Sequence, residues 1–363
     1  MIAEERRHRV YDAMQQAGIN QMVVYGNTWQ ADYLRYVSDF GILEGHGIAV
    51  VSDNTTELFL DSAVEVERAE AETSGVQIHL VTDVARAVGH RLDGTNRNCS
   101  AAPRRLVPRW LMDAERNFGL QDGTPLLDQL LMHKLPSEIA VIRQGAQLAD
   151  EAYTEFRRAV VPGRRQYELV AEMEAYLRQR GCPDNFMIIG SGGKDVTGMA
   201  PPSERQVALG DLVTTELTPA LQGYFVQICR TLVVGKASAA QQSAFAVYRE
   251  AVEAGIATVR PGVTAADVAR AENDVFRKYG LGDYVTDKYT RVRGHGLGLS
   301  TDSKPQILEN VDIPLQAGMV IIVHPNTYHP DAGYIVLGDS VLVTESGAEV
   351  LCKTPRELFE VAA

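Results

Sequence analysis

The feature that most constrains the fold of this chain is an internal repeat. The segment VPGRRQYELVAEMEAYLRQRG, residues 161–181, aligns with RPGVTAADVARAENDVFRKYG, residues 260–280. Each copy is followed by a glycine and an apolar strand, in GDLVTTE and GMVIIVH. Glu216 and His324 stand at equivalent places, six residues after that glycine. We expect two pseudo-symmetric halves that bring these two polar groups to one central site.

The residues before the repeat predict a separate, smaller domain. A helical pattern over residues 4–17 leads into the apolar strands QMVVYG, GIAVVSD and ELFLD. The segment PSEIAVIRQ, near residue 136, then has the start signal of a long helix. The 363 residues, 45% of them hydrophobic, are enough for two cores. We therefore predict an α/β domain over residues 1–130 and a larger domain over residues 131–363.

Charge and composition exclude several classes of partner. The net charge is −12 and no long run of Lys or Arg occurs, so nucleic acid is not expected as a partner. No apolar run reaches 18 residues, which predicts no membrane span. The four cysteines form no C-x-x-C pair, as is common in reducing compartments. We expect a cytoplasmic protein that acts on a small molecule.

Three polar residues are candidates for catalysis. Glu216 and His324 interrupt apolar strands, where an unpaired polar group is costly. A single histidine in a strand is more often a hydrogen-bonded core residue, but its equivalence to Glu216 in the repeat favours a functional role. His295 lies in RVRGHGLGL, where the neighbouring glycines let a ligand approach the backbone closely.

Several blocks carry a resemblance to a known family. They are PSERQVALGDLV, GYFVQICRT, GHGLGL, LQAGMVIIVHPNTY and GDSVLVTE. In these blocks the larger domain resembles the pita-bread family of methionine aminopeptidase, aminopeptidase P, prolidase and creatinase. The smaller domain resembles the N-terminal domain of the longer members. The resemblance implies an α/β (α+β) fold, with a creatinase-like α/β domain followed by a pseudo-symmetric pita-bread domain, and a homodimer.

The resemblance also implies a metal site whose ligands have changed. The metallopeptidases of the family bind two divalent ions through two aspartates, a histidine and two glutamates. By motif these positions fall on Glu216, Gln227, His295, His324 and Gly338, so only the histidine is retained. Both bridging carboxylates are absent, and an amide and a glycine cannot balance the charge of two hard cations.

The changed ligands predict a creatinase-like enzyme that cleaves an amide or amidino C–N bond of a small non-peptide substrate. The catalytic acid–base site would consist of His295, His324 and Glu216, and no cofactor is expected. A lyase would fit the same residues. The residues predicted to bind substrate are Gln227, Arg293, Asp302, Tyr328 and His46.

Two alternatives stay open at this point. Glu216, His295 and His324 form a two-histidine, one-carboxylate set that could hold a single Fe(II), Zn or Mn ion. A peptidase-like protein that has lost catalysis and serves as a binding module is the other alternative. The acidic charge and the retained His295 weigh against that second alternative.

Overall fold

The structure, a computed structural model, describes residues 2–92, 100–109 and 120–362. It divides into two compact units, Met1–Leu131 and Met132–Ala363. The predicted mixture of helices and strands is observed in both. In the described part of the chain, no helix is long and apolar enough to cross a membrane.

The first unit is built around a six-stranded sheet. Its strands are β1 (Gln21–Asn27), β2 (His46–Ser52), β3 (Thr55–Leu60), β4 (Gln77–Leu80), β5 (Ser100–Ala102) and β6 (Gln121–Asp122). The strand order is β4-β3-β2-β1-β5-β6, and the antiparallel strands β1, β2 and β3 form its centre. Its helices are α1 (Ile2–Gln16), α2 (Asp32–Ser38), α3 (Ala63–Glu72) and α4 (Val84–Leu92), and α5 (Thr124–Met132) follows them at the boundary with the second unit.

The second unit contains two pairs of helices and most of the strands. The helices are α6 (Pro136–Ala159), α7 (Gln166–Arg178), α8 (Ala239–Thr258) and α9 (Ala265–Lys278). The first strands are β7 (Asp184–Gly192), β8 (Leu212–Leu221), β9 (Tyr224–Phe225), β10 (Ile228–Val234), β11 (Gly294–Gly296) and β12 (Ser303–Gln306). The remaining strands are β13 (Val320–Val323), β14 (Thr327–His329), β15 (Gly333–Ile335), β16 (Gly338–Thr344), β17 (Gly347–Val350) and β18 (Phe359–Val361).

The sequence repeat corresponds to a repeat in the structure. The two matched segments form the second helix of each pair, α7 and α9. Each is preceded by a Pro-Gly turn in which the glycine has a left-handed backbone, with φ of 87° at Gly163 and 86° at Gly262. Only glycine adopts this conformation without steric cost, so the two turns fix the same entry into both helices.

A ten-stranded sheet joins the two halves of this unit. Its main path runs β12-β11-β13-β16-β10-β8-β7, with β17, β18 and β9 paired at its sides. Strands from the first half, β8 and β10, therefore meet strands from the second half, β16 and β13, in the middle of one sheet. This pairing places the two halves of the repeat side by side.

A buried ion pair ties the two halves together where β10 meets β16. The Nη2 atom of Arg230 lies 2.7 Å from Oδ1 of Asp339, and both side chains are at most 1% exposed. Arg230 also donates to the carbonyls of Gly338 and Thr354, and Arg356 donates to the second oxygen of Asp339. The charges are thus paired and almost fully hydrogen-bonded, which buried charges require.

Replacing Asp339 with asparagine should strongly destabilise the second unit. The variant keeps the shape of the side chain but leaves the Arg230 charge buried without compensation, so we expect a loss of about 3–5 kcal/mol in the free energy of unfolding. Urea denaturation measures it. Glu349→Gln is the matched control, because it breaks the partly exposed pair with Arg143 and should cost less than about 1 kcal/mol. Equal losses in the two variants would contradict the importance of the buried pair.

Candidate active site

The central sheet brings the three candidate catalytic residues to one region. Glu216 lies on β8, His295 on β11, and His324 directly follows β13. Cys229 on β10 pairs with Glu216 on one side and with Gly338 of β16 on the other. The two halves of the repeat thereby present Glu216 and His324 to a shared space.

That space is a cavity of about 530 Å³, which is in the range of sites for small ligands. Apolar side chains, among them Ile188, Met199 and Val292, form part of its wall. The charged and imidazole side chains that line it are Glu216, Asp287, Lys288, Arg291, His295, Asp302 and His324. The predicted residues Glu216, Gln227, His295, Asp302 and His324 therefore all line one cavity.

The carboxyl group of Glu216 has an unusually high pKa. Burial raises its pKa to about 7, while a hydrogen bond from Asn326 opposes that shift. The Nδ2 atom of Asn326 donates to Oε1 of Glu216 across 2.8 Å. A carboxyl group that titrates near neutrality can exchange a proton with a bound ligand.

The two histidines lie edge to face, with their ring centroids 5.4 Å apart. Burial lowers the pKa of His295, and burial together with the neighbouring His295 lowers the pKa of His324 well below its ordinary value. Both imidazoles are therefore neutral near pH 7. Nδ1 of His295 lies 3.1 Å from the carbonyl oxygen of Gly296, which can only accept. Nδ1 must carry the proton, and Nε2 is left as an acceptor.

Asp302 connects His295 to the charged rim of the cavity. Its Oδ1 atom lies 4.0 Å from Nδ1 of His295 and accepts a hydrogen bond from Gln306. Its Oδ2 atom pairs with Arg291. The Arg291 side chain is 67% exposed, so the pair lies at the solvent side of the cavity.

The residues at the metal-ligand positions do not fit a two-ion centre. Nε2 of Gln227 lies 3.4 Å from Sγ of Cys229, to which it donates, and an amide carries no charge to bridge two cations. Gly338 has no room for a carboxylate, because a Cβ atom there would lie 2.5 Å from Cβ of His324 and 2.7 Å from the carbonyl oxygen of Val323. These contacts are to Cβ of residue 324 and to the backbone, so position 338 accepts only glycine in this arrangement of the two strands.

The described side chains around the cavity are not grouped as metal ligands. Across the described ranges, no group of three or more His, Cys, Asp and Glu side chains is placed to hold one metal ion. The single-ion set of Glu216, His295 and His324 stays a prediction from the sequence.

Three residues predicted to bind substrate lie outside the cavity wall. Arg293 is buried behind it, where Nε donates to Asn273 and Nη1 donates to the carbonyl of Asn326. The Tyr328 hydroxyl donates to the carbonyl of Lys194, and its ring stacks on a cavity-lining tyrosine at position 289. His46 belongs to the first unit, with Nε2 3.7 Å from Asp61.

The cavity also contains residues that the sequence-based reasoning missed. Asn326 and Tyr334 line it, and so do the three consecutive residues Asp287, Lys288 and Tyr289. Asn326 had a signal in the sequence, since it stands two residues after His324 in the block LQAGMVIIVHPNTY. The Asp-Lys-Tyr segment resembles an ordinary surface loop and gave none.

Comparisons with known proteins identify relatives of this chain. Residues 140–345 match the protein family described as "Metallopeptidase family M24". The chain is 31% identical over 236 residues to an Xaa-Pro dipeptidase of Pyrococcus furiosus, an alignment that covers 64% of this chain and 67% of the relative.

Solved structures show the same fold. The dipeptidase PepE of Mycobacterium ulcerans has a TM-score of 0.85 and 26% identity, with 100% of this chain and 98% of that chain covered. The prolidase of Pyrococcus horikoshii OT3 has a TM-score of 0.86 and 23% identity, with 98% and 100% covered. The predicted pita-bread fold is confirmed.

These findings correct two predictions. The relatives are named dipeptidases, which contradicts the prediction of a creatinase-like enzyme for a non-peptide substrate. The matching family is one of metallopeptidases, which contradicts the expectation that no cofactor is involved. The hydrolase prediction is confirmed at the level of the family. The donor set of this chain, with an amide at position 227 and a glycine at position 338, does not fit a two-ion centre.

Adding a methyl group at Gly338 should destabilise the site. Gly338→Ala places Cβ against His324 and the backbone of Val323, and we expect a loss of about 1–3 kcal/mol in the free energy of unfolding. Gly282→Ala is the control, since its Cβ would meet Arg277 at an ordinary 3.7 Å and should change stability by less than about 0.5 kcal/mol. Chemical denaturation of both variants checks this, and a fully stable Gly338→Ala would show that position 338 can accept a side chain.

Proposed function

Because this chain belongs to metallopeptidase family M24, we propose that it is a peptidase that hydrolyses the amide bond of short peptides, of dipeptide size. The names of its relatives, Xaa-Pro dipeptidase and dipeptidase PepE, support this substrate class. The observation that carries the proposal is that Glu216 and His295 line one cavity and have pKa values displaced in opposite directions.

The opposite displacements suit an acid–base pair. A carboxyl group with a raised pKa can remain protonated and act as an acid, while an imidazole with a lowered pKa remains neutral and acts as a base. We therefore assign the acid role to Glu216 and the base role to Nε2 of His295. The assignment depends on the hydrogen bond geometry at Gly296, which leaves Nε2 without a proton.

The proposed reaction is a general acid–base hydrolysis. Nε2 of His295 takes a proton from a water molecule as the water oxygen bonds to the carbonyl carbon of the scissile amide. Glu216 gives its proton to the amide nitrogen as the C–N bond breaks. The products are a carboxylic acid and an amine, and transfer of a proton from His295 to Glu216, directly or through solvent, restores the starting state.

His324 supports this pair rather than exchanging protons itself. Its low pKa keeps it neutral, so it adds no positive charge beside His295. A cationic neighbour would weaken His295 as a base through like-charge repulsion of the imidazolium. The edge-to-face contact between the rings also restricts the orientation of His295.

The rim of the cavity suits the charged ends of a dipeptide. Lys288 and Arg291 are candidates for contact with a carboxylate, and Asp287 and Asp302 for contact with an ammonium group. Gln227 lines the same wall and can donate or accept a hydrogen bond. The homodimer and the cytoplasmic location stay predictions from the sequence.

The pH dependence of dipeptide hydrolysis tests the assignment. We expect kcat/KM to fall as pH rises through about 7, because Glu216 loses the proton that it must donate. On the acid side kcat/KM should fall at a pH below the ordinary pKa of histidine, because His295 becomes protonated and cannot accept. A panel of unblocked dipeptides, including Xaa-Pro, gives the profile.

Substitutions separate the acid and alkaline sides of the pH profile. Glu216→Gln and His295→Ala should each lower kcat/KM by about 10²–10⁴-fold, and any residual activity of Glu216→Gln should lack the decline above pH 7. His329→Ala is the control, because this buried histidine also has a lowered pKa but does not line the cavity. Wild-type protein that hydrolyses no dipeptide, or Glu216→Gln with full activity, would refute the proposal.

A further inference from the structure

Asn326 makes four hydrogen bonds at the wall of the cavity. Its side chain donates to Oε1 of Glu216 and accepts from the backbone N–H of Leu337 at 3.1 Å. Its backbone N–H donates to the carbonyl of His324 at 2.7 Å, and its own carbonyl accepts from Arg293. The residue is 2% exposed. Both ends of the side-chain amide and both backbone groups are therefore occupied.

The contact with Leu337 fixes which end of the amide faces Glu216. A backbone N–H can only donate, so the atom of Asn326 that it meets must be the carbonyl oxygen. The NH₂ group then points to Glu216 and can only donate to it. Oε1 of Glu216 must accept, which leaves Oε2 as the oxygen that can carry or donate a proton.

A buried support holds the backbone of Asn326 in place. Arg293, whose Nη1 donates to the Asn326 carbonyl, is itself 2% exposed. Nε of Arg293 donates to Oδ1 of Asn273 at 2.5 Å, and Asn273 donates to Glu309. These hydrogen bonds hold the Asn326 carbonyl in place, so Asn326 has little freedom to move away from Glu216.

We propose that Asn326 is the positioning residue of the site, which holds the carboxyl group of Glu216 so that Oε2, and not Oε1, meets the ligand. This inference rests on the proposed role of Glu216 in hydrolysis. Asn326 acts through Glu216 and needs no contact with the substrate. Oε2 makes no hydrogen bond with any residue that the structure describes, whereas Oε1 is occupied by Asn326.

The chain offers a matched control for this role. Asn185 on β7 also accepts from a backbone N–H, that of Thr218, and donates to a glutamate, Glu174. It does not line the cavity. A change from asparagine to aspartate at either position removes the same donor, keeps the same shape and adds the same charge.

Kinetics of the two aspartate variants test the positioning role. Asn326→Asp should lower kcat for a dipeptide by about 10- to 100-fold, because a misplaced catalytic group costs rate. KM should change by less than about threefold, because the residue acts through Glu216 rather than on the bound substrate. Asn185→Asp should leave both constants near the wild-type values. Equal effects of the two variants on kcat would overturn the inference.

A second measurement does not depend on activity. Asn326→Asp places a second carboxyl group against Glu216, so the two groups repel each other or must share one proton, and the urea midpoint of unfolding should fall. In a Glu216→Gln background the new glutamine can donate to the new aspartate without any proton being shared. We expect Asn326→Asp to lower the urea midpoint in the Glu216→Gln background by roughly half as much as in the wild-type background, or less. A crystal structure of Asn326→Leu should show the Glu216 carboxyl group rotated from its wild-type position.

The outcomes separate this inference from the proposed function. Coupling between positions 216 and 326, with a displaced carboxyl group in Asn326→Leu, supports the positioning role even if no dipeptide is cleaved, and only the proposed function then fails. Additive losses in the urea midpoint, together with an unmoved Glu216, overturn the positioning role even if the wild-type protein is an active dipeptidase.

Discussion

The site depends on the buried pair of Arg230 and Asp339. These residues join β10 to β16, the strands at which the two halves of the repeat meet. Gly338, whose carbonyl accepts from Arg230, is directly adjacent to Asp339 and packs against His324. A buried charge pair has a narrow range of favourable geometries, since its desolvation is offset only by good contacts. The position of His324 in the cavity is therefore linked to the pair.

The site combines a family fold with a changed set of side chains. His324 and Gly338 stand at two of the changed positions, and they lie against each other, since a Cβ atom at position 338 would be 2.5 Å from Cβ of His324. Asn326 adds a third element, because its amide holds the glutamate that corresponds to another ligand position of the family.

Much of the fold was accessible from the sequence. The sequence repeat predicts the paired Pro-Gly turns and the equivalent positions of Glu216 and His324. The turns follow from local backbone rules, because their glycines adopt a left-handed conformation. The convergence of these residues with His295 on one cavity also agrees with the reasoning from the repeat.

The remaining features required three-dimensional information. The hydrogen bond between Asn326 and Glu216 joins residues 110 positions apart, so no local pattern could indicate it. Arg293 was predicted to bind substrate, but packing directs its guanidinium group to Asn273. The raised pKa of Glu216 results from burial and could not be read from residue type. The substrate class was mispredicted because changed metal ligands were interpreted as a change of substrate.

The assigned role of Glu216 as the acid is tested most directly by measuring its protonation. A ¹³C NMR titration of carboxyl-labelled glutamate, with the Glu216 signal assigned by its absence in Glu216→Gln, measures that protonation in the intact protein. We expect a midpoint at about pH 7, well above the ordinary value of 4.5. A midpoint at or below 4.5 would mean that Glu216 is ionised at neutral pH, and it would contradict the assigned role of this residue as the acid.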